Sequence, residues 1–246
     1  MAKLRSYSVY TNQGPYLQIN EDDAVVDLKN KLFLIFDGFG GSNIGDAAVE
    51  KIKNTILKFY TKIGGDPDST FPFYYSHKYL IEGNALVNSM HLAHSIIKTD
   101  NQEKNLSSRG GASCIAATLA DSILTTSATG NCSAFLFRRG KLDNIVRPDS
   151  LESLSEDSYD IQFRTTPMSG FGLFDDLHLN VKEFKVMSGD LYIFMTDGVY
   201  SRVTHKEIKH TLERQDLDDN GKIKELTKLS NQRGNLDNQS TIFLQF

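Results

Sequence analysis

Hydrophobic and polar positions alternate along this chain in two rhythms, and the longest unbroken apolar run of the first half, Leu32-Phe33-Leu34-Ile35-Phe36, stops abruptly at Asp37-Gly38-Phe39-Gly40-Gly41. Five apolar residues in a row, bounded by an acid and glycines, predict a strand buried on both faces. A second run, Leu191-Tyr192-Ile193-Phe194-Met195-Thr196, ends in the same dipeptide, Asp197-Gly198. An Asp-Gly pair is most often a hairpin turn. Two buried strands that each carry a carboxylate to their ends raise a different expectation, a shared carboxylate site, because burying an unpaired acid is costly.

Shorter alternating segments at 7–11, 24–26, 112–119, 123–128, 134–138, 177–184 and 240–246 predict further strands. Turns are expected at Asn12-Gln13-Gly14-Pro15, at 28–31, at Arg139-Gly140 and at Ser188-Gly189-Asp190. The helical rhythm occurs in Ile44, Ala47, Ala48, Ile52, Ile56, Leu57 and Phe59, with Ser42 or Asn43 as cap and Gly64-Gly65-Asp66-Pro67 as stop. A second helix is predicted over 77–99, a third over 203–212 with Thr204 and Glu207 as its capping box, and a fourth over 223–230. The polar stretch 100–109 is expected as a loop, and 147–166 as an excursion over one end of a sheet, after which Phe171 and Leu173 return to the core.

Composition narrows the class. At 246 residues and 39% hydrophobic, the chain can bury one sizeable core, so residues 1–246 are expected as one domain. The 27 basic and 31 acidic residues are interspersed and sum to -4, which leaves no basic field for nucleic acid. Two cysteines, no secretory leader and no membrane-spanning apolar run point to a reducing, cytoplasmic compartment with no membrane partner, and a monomer is expected.

Three apparent chemical signals are set aside. His91 and His94 lie three apart but have no third ligand at suitable spacing. Cys132 and Arg138 have the spacing of thiol phosphatases, yet the intervening Ser-Ala-Phe-Leu-Phe has no glycine and alternates like a strand, so Cys132 is expected as a structural thiol. Residues 216–221 imitate the start of a calcium loop, but the twelfth position is Thr227, so a turn into a helix is expected.

The acids outside the two Asp-Gly pairs are more informative. Asn20-Glu21-Asp22-Asp23 enters the strand at 24–26, and the hairpin that follows can carry Glu21 and Asp22 to Asp37. Asp237-Asn238 precedes the last strand and is a turn by default, but it supplies another acid for the same sheet end.

Taken in order, Asn20-Glu21-Asp22, Phe36-Asp37-Gly38-Phe39-Gly40-Gly41, Gly130-Asn131-Cys132-Ser133-Ala134, Gly189-Asp190 through Thr196-Asp197-Gly198, and Asp237-Asn238 resemble the motifs of metal-dependent serine/threonine protein phosphatases, the type 2C or PPM family. Each motif alone is weak; their shared order covers nearly the whole chain. The resemblance implies an α+β fold, a four-layer α/β/β/α sandwich of two antiparallel sheets flanked by helices. It also implies a binuclear Mn2+ or Mg2+ centre at one end.

Carried over residue by residue, the resemblance makes Asp37 the bridge between two ions and gives one of them the Gly38 carbonyl. Asp197 and Asp237 complete the other, Glu21 lies on the Gly38 side, and Asp22 positions water. Hard divalent ions with oxygen ligands suit such a set. The implied reaction is hydrolysis of phosphoserine or phosphothreonine in a protein substrate by direct attack of a bridging water or hydroxide.

Four positions depart from the family pattern. Leu17 stands where an arginine commonly holds the substrate phosphate, and Phe39 replaces a histidine found in many eukaryotic members. Asn131 and Ser201 replace the two acids of a third metal site, which is therefore expected to be absent or weak. These losses define the alternative, a pseudophosphatase that keeps the fold as a binding or regulatory module.

Overall fold

Strand β3 (Leu32–Phe39) presents two apolar faces, and each has its own partner. Leu32, Leu34 and Phe36 pack against helices α1 (Gly45–Gly64) and α2 (Ile81–Gln102). Phe33 and Ile35 point the other way, into a core shared with a second sheet. This two-sided burial is why the sequence there is continuously apolar rather than alternating.

The computed structural model describes residues 3–40, 44–64, 70–151 and 165–246. In the first sheet β3 lies between β2 (Asp23–Asp27) and β4 (Gly111–Ala120), followed by β5 (Ile123–Thr129) and β8 (Asn180–Lys185). The second sheet runs β1 (Ser6–Asn12), β10 (Gln239–Gln245), β9 (Leu191–Met195), β6 (Ser133–Arg138), β7 (Lys141–Val146). All pairings are antiparallel. On the outer face of the second sheet lie α3 (Asp197–Tyr200), α4 (His205–Glu213) and α5 (Asp219–Gln232), whose Val199, Ile208, Leu212, Ile223 and Leu226 meet Phe135, Ile193, Met195 and Phe243. The result is the expected α/β/β/α sandwich.

Several boundaries differ from the sequence expectation. β3 continues through Asp37 and Gly38 to Phe39, with Asp37 paired to Ser113, so the first acid lies inside the sheet rather than beyond it. The second helix starts at Ile81, not at 77. Its buried Asn84 and Asn88 hold the preceding backbone out of the helix: Asn88 Oδ1 accepts the N–H groups of Phe73 and Tyr74 at 2.9 and 3.1 Å, and Asn84 Oδ1 accepts that of Ser76 at 2.8 Å. The same helix runs on to Gln102, into the stretch expected as a loop. β7 is an unforeseen strand, and β8 begins at Asn180 rather than at 177.

Phe171 is fully buried as expected, whereas Leu173 is 38% exposed and does not join the core. The caps Ser42 and Asn43, the stop Gly65-Asp66-Pro67, and residues 152–164 of the excursion lie outside the described residues. The base of the excursion is tied together, Leu151 N–H to the Thr166 carbonyl at 3.2 Å and Met168 N–H to the Asp149 carbonyl at 2.9 Å. Among the described residues no helix is long and apolar enough to cross a membrane.

Candidate active site

The glycine of each Asp-Gly pair explains why the dipeptide occurs twice. A Cβ at Gly38 would collide with the Glu21 carbonyl oxygen, and one at Gly198 with the Asn238 carbonyl oxygen. Only glycine permits these approaches. Each one brings a second acid-bearing segment, Glu21-Asp22 or Asp237-Asn238, against the strand end that carries Asp37 or Asp197. The dipeptides are therefore contact points between segments and not hairpin turns.

Pairing of Asp23 with Phe36 sets Asp22 one step further along, beside Asp37. Asp22 is 7% exposed and Asp197 6%. Asp22 Oδ2 accepts a hydrogen bond from Thr196 Oγ1 at 2.8 Å, and the same hydroxyl accepts the Ser240 N–H at 2.9 Å. The Asn238 side chain joins two loops: its Oδ1 accepts the Glu21 N–H, and its Nδ2 donates to the Gln13 and Ile19 carbonyls, all at 2.9 Å. Glu21 Oε1 accepts the Gly45 N–H at 3.1 Å at the start of α1, where unpaired N–H groups and the helix dipole favour an anion.

Burial dominates the electrostatics. It pushes the carboxyls of Asp22 and Asp37 well above the ordinary aspartate range, and the neighbouring Asp197 and Asp237 raise both further. Asp197 is raised to about 7, by burial first and then by Asp237. The Asp237 carboxyl is raised by partial desolvation although the residue reaches solvent, and burial raises Glu21 with added repulsion from Asp46 and Asp237. Asp37 lies within hydrogen-bonding reach of Asp197 and Asn131, yet its Oδ2 is buried without a partner. Repelling carboxylates with an orphaned oxygen are an arrangement that a cation would relieve.

The fit to divalent ions is chemical rather than fully geometric. Hard carboxylate and carbonyl oxygens are the right donors for Mn2+ or Mg2+. Among the described residues no three acids already converge in the geometry of a bound ion, although Asp37, Asp197 and Asp237 lie close enough to act on one another. Asp237 Oδ1 accepts the Asn238 N–H at 2.8 Å.

Asn131 fills the place of the expected third-metal acid. Its Nδ2 donates to Asp197 Oδ2 at 3.0 Å and to the Thr165 carbonyl at 2.8 Å. Leu17 is 40% exposed, which leaves no cation at that position. Thr196 and Asn238 were not singled out from sequence as positioning groups; their immediate adjacency to Asp197 and Asp237 was the available signal.

The signals set aside are structural in the fold. His94 Nδ1 accepts the Gly172 N–H and Nε2 donates to the Asp175 carbonyl, both at 3.3 Å, while burial lowers its pKa. Cys132 is buried and reduced, and burial pushes its thiol well up. Arg138 is held away from it by Asp190, through Nε at 2.7 Å and a terminal nitrogen at 2.6 Å. The calcium-like stretch is a helix start, Asp218 accepting the Gly221 N–H at 2.7 Å.

No protein-family model and no curated protein matches the sequence. Solved structures do match the fold. The PPM serine/threonine phosphatase MsPP from Mycobacterium smegmatis, solved with cacodylate, aligns with a TM-score of 0.78 over 100% of both chains at 16% identity. PppA of Pseudomonas aeruginosa, described as a key regulatory component of T6SS, aligns with a TM-score of 0.78 over 98% of this chain and 96% of its own at 20% identity. The catalytic domain of the serine/threonine phosphatase PstP, solved with two manganese ions, gives 0.76 over 98% and 97% at 18% identity. The architecture is that of the PPM serine/threonine phosphatases.

Proposed function

We propose that this chain is a metal-dependent phosphatase acting on phosphoserine or phosphothreonine in proteins, with two Mn2+ or Mg2+ ions as its cofactors. The observation that carries the reading is the buried, unpartnered Asp37 oxygen amid Asp22, Asp197 and Asp237, all of them raised in pKa. Asp37 would hold both ions, the Gly38 carbonyl and Glu21 would lie toward one, and Asp197 and Asp237 toward the other. When bound, the ions would supply Lewis acidity toward water and neutralise charge on the phosphoryl group.

The chain's own residues would do the positioning. Thr196 fixes the rotamer of Asp22, which orients water for attack. The α1 terminus holds Glu21, and Asn238 locks the loop that carries it. With Leu17 in place of arginine, phosphate binding falls chiefly to the ions.

The test is hydrolysis of an aryl phosphate and of a phosphothreonine peptide with Mn2+, with Mg2+ and with chelator, alongside Asp37→Asn and Asp197→Asn. Turnover that needs metal and vanishes in both variants supports the reading. Asn131, whose amide occupies Asp197, together with Leu17, favours the second reading, a pseudophosphatase that binds or regulates. A folded, Mn2+-binding protein with no turnover on either substrate would establish it.

A further inference from the structure

Ser201 lines two cavities at once: a small one of about 90 Å3 lined by Asp197 and Asp237, and a larger one of about 550 Å3 lined by residues of β7 and α4. Tyr200 lines the larger one and donates from its hydroxyl to the Asn131 carbonyl at 2.5 Å, and the Asn131 amide in turn holds Asp197. The larger cavity is therefore joined to the acid cluster by direct contacts.

Its floor is apolar, built of Phe135, Val203 and Ile208, which are buried. On its rim, at the end of β7, stands Arg147, exposed and without an ion pair or hydrogen bond among the described residues. Nearby acids are not paired with it: Asp143 is bound to Lys141 at 2.7 Å, and Asp149 engages neighbouring segments through its backbone. The cavity thus sets a guanidinium without an anion beside an apolar floor. A peptide segment bearing an acidic side chain supplies both partners, in its carboxylate and its methylenes.

We propose that this cavity is a substrate subsite that selects phosphoproteins with an acidic residue close to the phosphorylated one, and that Arg147 determines that specificity. The inference rests on the phosphatase reading above and extends it to the substrate sequence. Leu17 makes such a subsite consequential, because a chain without the phosphate-binding arginine gains selectivity from contacts beyond the phosphate.

The experiment compares wild type, Arg147→Ala and Arg147→Glu, with Mn2+, on an aryl phosphate and on phosphothreonine peptide sets differing only in Glu, Gln or Lys at the flanking positions. Wild type should prefer the Glu set to the Gln set through KM by roughly fivefold, the scale of one partly exposed charge pair. Arg147→Ala should erase that preference and leave aryl phosphate turnover unchanged, and Arg147→Glu should shift preference toward Lys. A preference that survives Arg147→Ala, or an equal loss on aryl phosphate, overturns the proposal. If no substrate turns over, the phosphatase reading has failed, and fluorescence anisotropy of the same labelled peptides decides the subsite alone. Glu-dependent binding that Arg147→Ala removes supports it, and binding indifferent to Arg147 overturns it.

Discussion

Replacing Asp197 with Asn should stabilise the metal-free protein while abolishing the proposed metal-dependent turnover. Asp197 is buried among acids, and its pKa rises from 3.8 to about 7. With an ordinary pKa in the unfolded chain, a shift of that size corresponds to roughly 4 kcal/mol of destabilisation when the group is fully ionised. Burial is the largest cause and Asp237 the next, and protons shared within the acid cluster relieve part of the penalty, so about 2 kcal/mol is expected from one substitution, or roughly 4–8 °C in Tm for a chain of this length. An Asn at this position can still accept the Asn131 Nδ2 bond. The sign follows from the upward shift. The penalty is complete above the folded pKa and fades as pH falls through about 7 toward the ordinary carboxylate value. In chelator the variant should therefore exceed wild type at pH 8 and lose its advantage toward pH 4. With saturating Mn2+ the order should invert, since only wild type gains fully from ligand binding. Urea midpoints at pH 8 and pH 5, with chelator and with Mn2+, measure all of this. A variant less stable than wild type in chelator at pH 8, or a difference that ignores pH, would refute the idea that ionised Asp197 is held at a cost by burial and by Asp237.

Three further outcomes are expected. Asn131→Asp combined with Ser201→Asp should add a Mn2+-binding event, visible by calorimetry, and lower metal-free stability by adding charge to the cluster. Thr196→Val should cut turnover about tenfold, mainly in kcat, by freeing Asp22, with Thr196→Ser restoring most of it because the hydroxyl returns. Asp190→Asn, at the opposite end of β9, removes the charge that holds Arg138 and should cost about 3 kcal/mol in urea unfolding without altering aryl phosphate kcat.

The sandwich was legible because burial has a period. Leu32 to Phe36 is apolar on both faces because it sits between a helical layer and a second sheet, and the Thr204–Glu207 capping box announces α4, with the Glu207 N–H reaching Thr204 Oγ1 at 3.3 Å and the Thr204 N–H reaching Glu207 at 2.9 Å. What escaped were features set by distant partners. The start of α2 depends on Asn84 and Asn88 folding back over 73–76, and polar residues inside a helical stretch give no local sign of that use. β7 escaped because Lys141-Leu142-Asp143-Asn144 is mostly polar at a sheet edge. In the site, the acids could be read as a set from their order, but the clamp from Asn131 to Asp197 could not, since an amide in an acid's place reads only as a loss.

The distribution of kept and lost residues bears on which reading of the chain is physically economical. A module that used this fold only as a surface would be more stable without these clustered, repelling aspartates, of which Asp22 and Asp197 are buried and Asp37 half-buried, because amides or apolar groups of similar size would pack there without the penalty. Asp22, Asp37, Asp197 and Asp237 are all present, and one Asp37 oxygen remains without a partner even after the surrounding polar groups have paired. The departures fall elsewhere. Leu17 lies in a loop where an exposed side chain carries little folding cost, and Asn131 sits where an amide relieves repulsion by donating to Asp197. Substitution has thus softened the rim of the cluster and left its most expensive centre intact. Near neutral pH such a centre is relieved by protonation or by a bound cation, and the retention of all four acids favours the metal-dependent hydrolase reading over an inert scaffold.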